Sequence, residues 1–117
     1  MVLRIYRLAV YRVTTMTTQV FQVLLSLADA PRHGYAIIQD VSERTDGEVR
    51  LTASTLYDAL ARLVDQRFIA PLEPPADNPD SRRRYYQLTR AGRDALETEA
   101  RRLARVVAMA KEKKVLR

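Results

Sequence analysis

Residues 52–66 read Thr-Ala-Ser-Thr-Leu-Tyr-Asp-Ala-Leu-Ala-Arg-Leu-Val-Asp-Gln, and they constrain the chain more than any other stretch. Leu56, Leu60, Leu63 and Val64 fall at i, i+4, i+7 and i+8, the apolar stripe of an amphipathic helix. Thr52 stands where an N-cap hydroxyl accepts from a first-turn backbone N–H. The opposite face carries Ser54, Thr55, Tyr57, Ala61 and Arg62. Small and hydroxyl-bearing side chains let a helix approach a nucleic-acid groove closely and bond bases or phosphates. Taken alone, the same face is that of an ordinary solvated helix, so the neighbouring segments have to decide.

Upstream, Thr17 or Thr18 caps a first helix predicted to run to about residue 29. Val20, Phe21, Val23, Leu24, Leu25, Leu27 and Ala28 cover more than one face, which buries this helix between two layers or between two subunits. Pro31 ends it, because proline disfavours helix in the residue before it. Gly34 opens a second helix, from Tyr35 to about Thr45, with Ile37, Ile38 and Val41 as its buried face. Asp46-Gly47 is its stop, with glycine in the left-handed cap conformation. His33, the only histidine, reads as an exposed turn residue; a phosphate contact at a helix start is the functional alternative. Residues 48–51 are a short link with room for one β-bridge. Two short helices joined tightly, the second with a groove-compatible face, make a helix-turn-helix arrangement.

Downstream the texture changes. Residues 68–72 read as a short strand, and residues 73–80 as a loop holding three of the five prolines and three acids. In residues 82–89, Tyr86 and Leu88 alternate with Arg83, Tyr85 and Gln87, the pattern of a half-buried strand. Together these make a hairpin with Arg82, Arg83 and Arg84 where its second strand begins. Three adjacent arginines are ordinarily a solvated basic patch; directly after a helix-turn-helix they stand where a wing reaches phosphate or the minor groove. Thr89 caps a last helix, Arg90 to about Lys114. Its Leu96, Ala100, Leu103, Val107 and Ala110 are spaced 4, 3, 4, 3, a coiled-coil seam that packs on its own domain or on a second copy, the latter being preferred. The expected division is an extension over residues 1–16, a winged domain over 17–89 and a dimerisation helix over 90–117.

Charge agrees with this reading without deciding it. Lys plus Arg number 20 against 14 Asp plus Glu, a formal net charge of +6 that favours a polyanionic partner. Cysteine is absent, which suits a reducing cytoplasm, and no apolar run reaches the length of a membrane span. One histidine, no cysteine and no Gly-rich phosphate loop leave no nucleophile, metal or cofactor constellation, so neither an enzyme nor a cofactor is expected. Residues 1–15 are apolar with Arg4, Arg7 and Arg12 and no acid. The arginines break up any signal-peptide core, leaving an amphipathic packing element or an upstream extension with Met16 as the natural start.

Three blocks now carry a resemblance. His33-Gly-Tyr-Ala-Ile37, then Thr55-Leu-Tyr-Asp-Ala-Leu60 with Arg62-Leu63, then Arg83-Arg-Tyr-Tyr-Gln-Leu-Thr-Arg-Ala-Gly92 with Ala95-Leu96, resemble the signature blocks of the PadR family of bacterial winged-helix regulators. The resemblance spans roughly residues 17–97; the related MarR-type regulators share the architecture. It implies a mainly α fold with a small β-hairpin, a winged helix-turn-helix followed by a C-terminal dimerisation helix. It further implies a homodimer on an inverted-repeat operator of double-stranded DNA, usually repressing, with some members releasing DNA on binding an aromatic or other hydrophobic effector. The DNA-contacting set expected on this basis is Tyr35, Thr52, Ser54, Thr55, Tyr57, Arg62, Arg82, Arg83 and Arg84. The expected dimer set is Phe21, Leu96, Ala100, Leu103, Val107 and Ala110. A winged module for protein assembly, its arginines meeting an acidic partner, is the alternative. Two positions depart from the family pattern. Arg67 replaces the usual glycine after the recognition helix, so it bears left-handed strain or the turn differs. Asp58 replaces the usual proline, so it points away from phosphate, pairs with Arg62, or accepts from cytosine.

Overall fold

The computed structural model describes residues 16–73 and 83–117. The reading of residues 1–15, the tip of the hairpin and Arg82 therefore lie outside the described residues. Among the described residues, four helices and three short strands follow in the order α1 (Thr18–Ser26), β1 (Arg32–His33), α2 (Gly34–Arg44), α3 (Ala53–Asp65), β2 (Ile69–Leu72), β3 (Tyr85–Leu88) and α4 (Arg90–Glu112).

Each helix starts on a side-chain cap. The hydroxyls of Thr17, Thr52 and Thr89 accept from the backbone N–H of Val20, Thr55 and Gly92, as their sequence positions predict. At α2 the cap is His33, whose Nδ1 accepts from the Ala36 N–H at 3.1 Å. His33 is thus a half-buried structural residue, not the exposed turn residue expected. Imidazole is an uncommon cap, which is why composition did not show it.

The helix ends differ more from expectation. α1 stops at Ser26, short of residue 29, because side chains take up its last carbonyls. Ser26 Oγ donates to Val23 O at 2.6 Å, Arg32 Nε to Ser26 O at 2.8 Å, and Arg93 Nη2 to Ala28 O at 2.7 Å. α2 closes with Asp46 N–H to Glu43 O and Gly47 N–H to Ser42 O, a Schellman pair. The first left-handed residue there is Asp46 at φ 50°, with Gly47 at φ 79° following it, so glycine is not alone in carrying the turn. α3 ends in the same motif, Arg67 N–H to Val64 O and Phe68 N–H to Leu63 O, with Arg67 at φ 64°. Of the two outcomes open for Arg67, the strained one is realised.

The sheet is antiparallel in the order β1-β3-β2. β2 and β3 form the expected hairpin, from Ile69 opposite Leu88 to Leu72 opposite Tyr85. The third strand is β1, with Arg32 opposite Tyr86 and His33 opposite Tyr85. The bridge expected in residues 48–51 does not form there, since β3 offers its free edge to the segment entering α2 instead. The core joins Val23, Leu24 and Leu27 of α1, Ile37 and Val41 of α2, and Leu56, Leu60 and Leu63 of α3 to Leu51, Ile69, Tyr86 and Leu96. Burying side chains of this size contributes roughly 1.5–3 kcal/mol each, so the α3 stripe alone anchors the helix-turn-helix.

One junction sets the angle between α3, the hairpin and α4. Thr89 Oγ1 donates to Arg67 O at 2.6 Å and accepts from Gly92 N–H at 3.0 Å, while Thr89 N–H donates to Phe68 O at 3.1 Å. A Cβ on Gly92 would stand 1.9 Å from that same Phe68 carbonyl oxygen. Gly92→Ala must therefore push α4 off β2, and is expected to cost about 3 kcal/mol by urea unfolding, at the upper end for overpacking.

Candidate nucleic-acid interface

α3 exposes two flanks with different surroundings. Its core stripe faces inward, and residues two apart on a 3.6-residue period diverge by roughly 160°, which sends Thr55 and Tyr57 to opposite sides. Thr55, Asp58 and Arg62 line an open groove of about 860 Å³ whose other walls include Met16, Val20 and Phe68. Asp58 is exposed and, among the described residues, makes no ion pair with Arg62. Ser54, Asp58, Ala61 and Asp65 occupy the exposed arc between the flanks. In the first turn, Thr52 Oγ1 is committed to capping and also donates to Thr55 Oγ1 at 2.9 Å.

The Tyr57 flank turns toward the wing. Tyr57 lies over the first turn of α2, where a Cβ on Gly34 would meet the phenol oxygen at 3.1 Å and Cζ at 3.3 Å. Glycine there is what allows this approach. His33, Gly34, Tyr35, Tyr57, Arg83 and Arg84 enclose a second, smaller cleft of about 420 Å³. The Arg83 guanidinium sits 5.6 Å above the Tyr35 ring, a cation–π distance. Arg83 Nη1 is 3.2 Å from His33 Nε2, and the His33 ring meets Tyr85 edge-on at 5.3 Å. Gln39 Nε2 donates to Tyr35 Oη at 3.0 Å. Tyr35 and Tyr57 nonetheless remain 56% and 55% exposed, large aromatic surfaces left facing solvent beside two exposed arginines.

The structure thus gathers Tyr35, Tyr57, Arg83 and Arg84 of the expected contact set around one cleft. It places Thr55 and Arg62 on the other flank of α3, and Arg82 lies outside the described residues. His33, not in that set, is the hub of the cleft; the only sequence signal for it was its place at a helix start.

The far end of α4 is a separate feature. Leu96 is buried against the domain, but the helix then runs on with Leu103, Val106, Val107 and Met109 between 37% and 58% exposed. Ala100 is exposed and Ala110 half-buried, while Phe21 is half-buried against the core. Glu99 is solvent-inaccessible, an outcome a charged helix face did not announce. Arg102 grips it with Nε at 2.7 Å and Nη2 at 2.8 Å, and the Met16 backbone N–H also bonds it. Among the described residues no helix is long and apolar enough to cross a membrane, and no group of three or more His, Cys, Asp or Glu could hold a metal ion.

A three-helix core with a helix-turn-helix, a β-hairpin wing and a trailing helix defines a winged-helix protein. Comparison with known proteins narrows the class. Residues 23–98 match the sequence profile of the transcriptional regulator PadR-like family, and the chain belongs to that family. A PadR family transcription regulator from hypervirulent Clostridium difficile R20291 superposes with a TM-score of 0.69 at 25% identity, over 80% of this chain and 94% of that one. Bacillus subtilis PadR in complex with operator DNA shares the fold, with a TM-score of 0.60 at 23% identity over 71% of this chain and 46% of that one. An uncharacterized 37.1 kDa protein in transposon TN4556 of Streptomyces fradiae is 45% identical over 84 residues, which is 72% of this chain but only 22% of that protein's length.

The Glu99 grip gives a pH dependence with a definite sign. The Arg102 hydrogen bonds and charge, with the Met16 N–H, hold its carboxyl below the ordinary value of 4.5 against the opposing effect of burial. The folded chain then binds fewer protons than the unfolded one, so the stabilisation is complete above pH 4.5 and fades as pH falls through the depressed value. The melting temperature of the natural chain should exceed that of Glu99→Gln at neutral pH, with the gap closing progressively in acid.

Proposed function

We propose that the chain is a sequence-specific DNA-binding regulator, a dimeric repressor of the cytoplasm that recognises an inverted repeat. The observation that carries this reading is the cleft between α3 and the wing, where two arginines and two exposed tyrosines converge over the first turn of α2, with Tyr57 of α3 as one of its walls. Phosphate contacts from the wing supply most of the affinity, and the first turn of α3, with Ser54 and Tyr57, supplies base contacts. Ala100, Leu103, Val107 and Ala110, with Phe21 at the margin, belong to the dimer contact, since the exposed apolar seam of α4 continues outward from Leu96, which is itself buried in its own domain. A groove of about 860 Å³ beside α1 falls within the size of small-molecule sites, which gives a hydrophobic effector a place to act on α3.

The direct test is fluorescence anisotropy of the full chain with the duplex upstream of its own coding region, against a scrambled duplex at two salt concentrations. Tighter binding to the first duplex, two chains per duplex, is the expected result; absence of binding to either at low salt favours a protein-assembly role. Replacing Arg83 and Arg84 together by Ala should weaken binding to every duplex and reduce the salt slope by roughly 2, about 0.9 for each lost phosphate contact. Leu103→Asp places a charge in the seam and should convert the sedimenting dimer to monomer, leaving the circular dichroism of the winged domain unchanged.

A further inference from the structure

The groove on the Thr55 flank of α3 has an apolar floor that the described residues leave uncovered. Met16, Val20 of α1, Ala59 of α3 and Phe68 lie half-buried along it. Its rim carries one acid, Asp58, and one base, Arg62, both exposed. Residues 1–15 join the chain at this groove, because Met16 is itself one of the walls. The Met16 backbone N–H is bonded by the buried Glu99 of α4, which fixes that entry point. Thr17 follows in an extended conformation at ψ 158°, so the residues before it cannot continue the axis of α1. The sequence of residues 1–15 has a pattern complementary to the floor. Val2, Ile5, Tyr6, Ala9 and Val13 fall at i, i+3, i+4, i+7 and i+11, one helical stripe that Leu3 and Val10 widen. Arg4, Arg7 and Tyr11 fall opposite, with Arg12 at the margin, and no acid is present. A helical stripe from Val2 to Val13 is roughly 18 Å long, close to the length of the 13-residue α3 that walls the groove.

We propose that residues 1–15 fold back as an amphipathic helix and lay this stripe into the groove between α1 and α3. Residues 14–17 then make the turn of an αα-hairpin, whose loops run to about two to five residues. A segment of the same chain suits the groove better than a separate partner, because it is tethered at the groove's own wall and its local concentration there is high. Asp58 on the rim offers a counter-charge to a segment that has three arginines and no acid. Docked there, the segment covers Thr55 and stands beside Arg62, so it limits what that flank of α3 can touch. A hydrophobic effector entering the same groove has to displace it, which couples binding in the groove to the exposure of α3. The inference goes beyond the DNA-binding reading and does not depend on it.

The chain has no cysteine, so a pair of introduced thiols reports on one contact at a time. In the full chain, Ala59→Cys on the groove floor is combined with Ile5→Cys, Ala9→Cys or Val13→Cys on the stripe, or with Arg7→Cys or Tyr11→Cys opposite. A disulfide needs Cβ atoms about 3.5–4.5 Å apart, so it reads direct contact. Under mild oxidation at least one stripe position should close an intrachain bond about tenfold faster than either opposite position, since docking raises the concentration of one thiol at the other. Melting curves under reducing conditions check that each variant folds. Equal slow rates at every position would overturn the proposal. Interchain bonds alone would overturn it too, and assign the groove to a second copy. A second measurement leaves the groove itself unaltered. Ile5→Asp with Ala9→Asp places two carboxylates in the stripe and should raise the fluorescence of added anilinonaphthalene sulfonate several-fold as the groove opens. Unchanged fluorescence counts against docking. Binding of the natural chain to phosphatidylglycerol vesicles, lost in that double variant, with equal slow cross-linking, would give the stripe to a membrane surface instead. Neither measurement contains DNA, so failure here and failure of the regulator reading are separate results.

Discussion

The geometry of the molecule depends on the contact between the carbonyl of Phe68 and the first turn of α4. Thr89 and Gly92 both close on that carbonyl, one through its N–H and the other through the absence of a side chain. Thr89 also ties the Arg67 carbonyl to the start of α4. The end of α3, the root of the wing and the start of the long helix thereby share one set of bonds. The left-handed turn at Arg67 belongs to the same assembly, since it directs Phe68 back toward Leu63 and starts the hairpin. Left-handed geometry disfavours a residue with a Cβ by about 1–2 kcal/mol, so the surrounding bonds have to hold Arg67 there.

Around that junction, the chain separates structural and solvent-facing roles with little overlap. Leu56, Leu60 and Leu63 hold α3 down, while Tyr57 leaves the stripe to lie on Gly34 beside the wing. His33 is the exception, acting in a cap, in an aromatic contact and at the cleft surface at once. Arg44 plays a comparable linking role behind the site, bonding Asp40 on its own helix and both the side chain and carbonyl of Gln22 on α1. Relative positions of α1, α2 and the wing are thus fixed by a few polar bonds laid over a continuous apolar core.

Much of this was legible in the sequence because it is local. The apolar spacing of α3, the threonine caps and the alternation around Tyr86 are properties of a few neighbouring residues, and the structure has them where the spacing put them. What was not legible depends on distant partners. A two-residue strand at Arg32–His33 exists only because β3 has an edge to offer. The early end of α1 follows from Arg32 and Arg93 reaching its carbonyls. Glu99 looked like one more charge on a solvated helix until Arg102 and Met16 closed over it. In the candidate site, the residue types were readable, but their division between two flanks of α3 needed the packing of Tyr57 against Gly34.

The exposed arc of α3 has a consequence for how much sequence one chain can discriminate. Asp58 and Asp65 lie along its middle and end, so a helix laid lengthwise in a groove would press two carboxylates toward phosphate strands. Entry by the tip avoids this, since only the first turn with its hydroxyls and Tyr57 then goes deep. A helix that probes with its tip touches few base pairs and gathers little information by itself. In the dimer proposed above, discrimination would rest on the distance and phase between two short words, a ruler more than a reader.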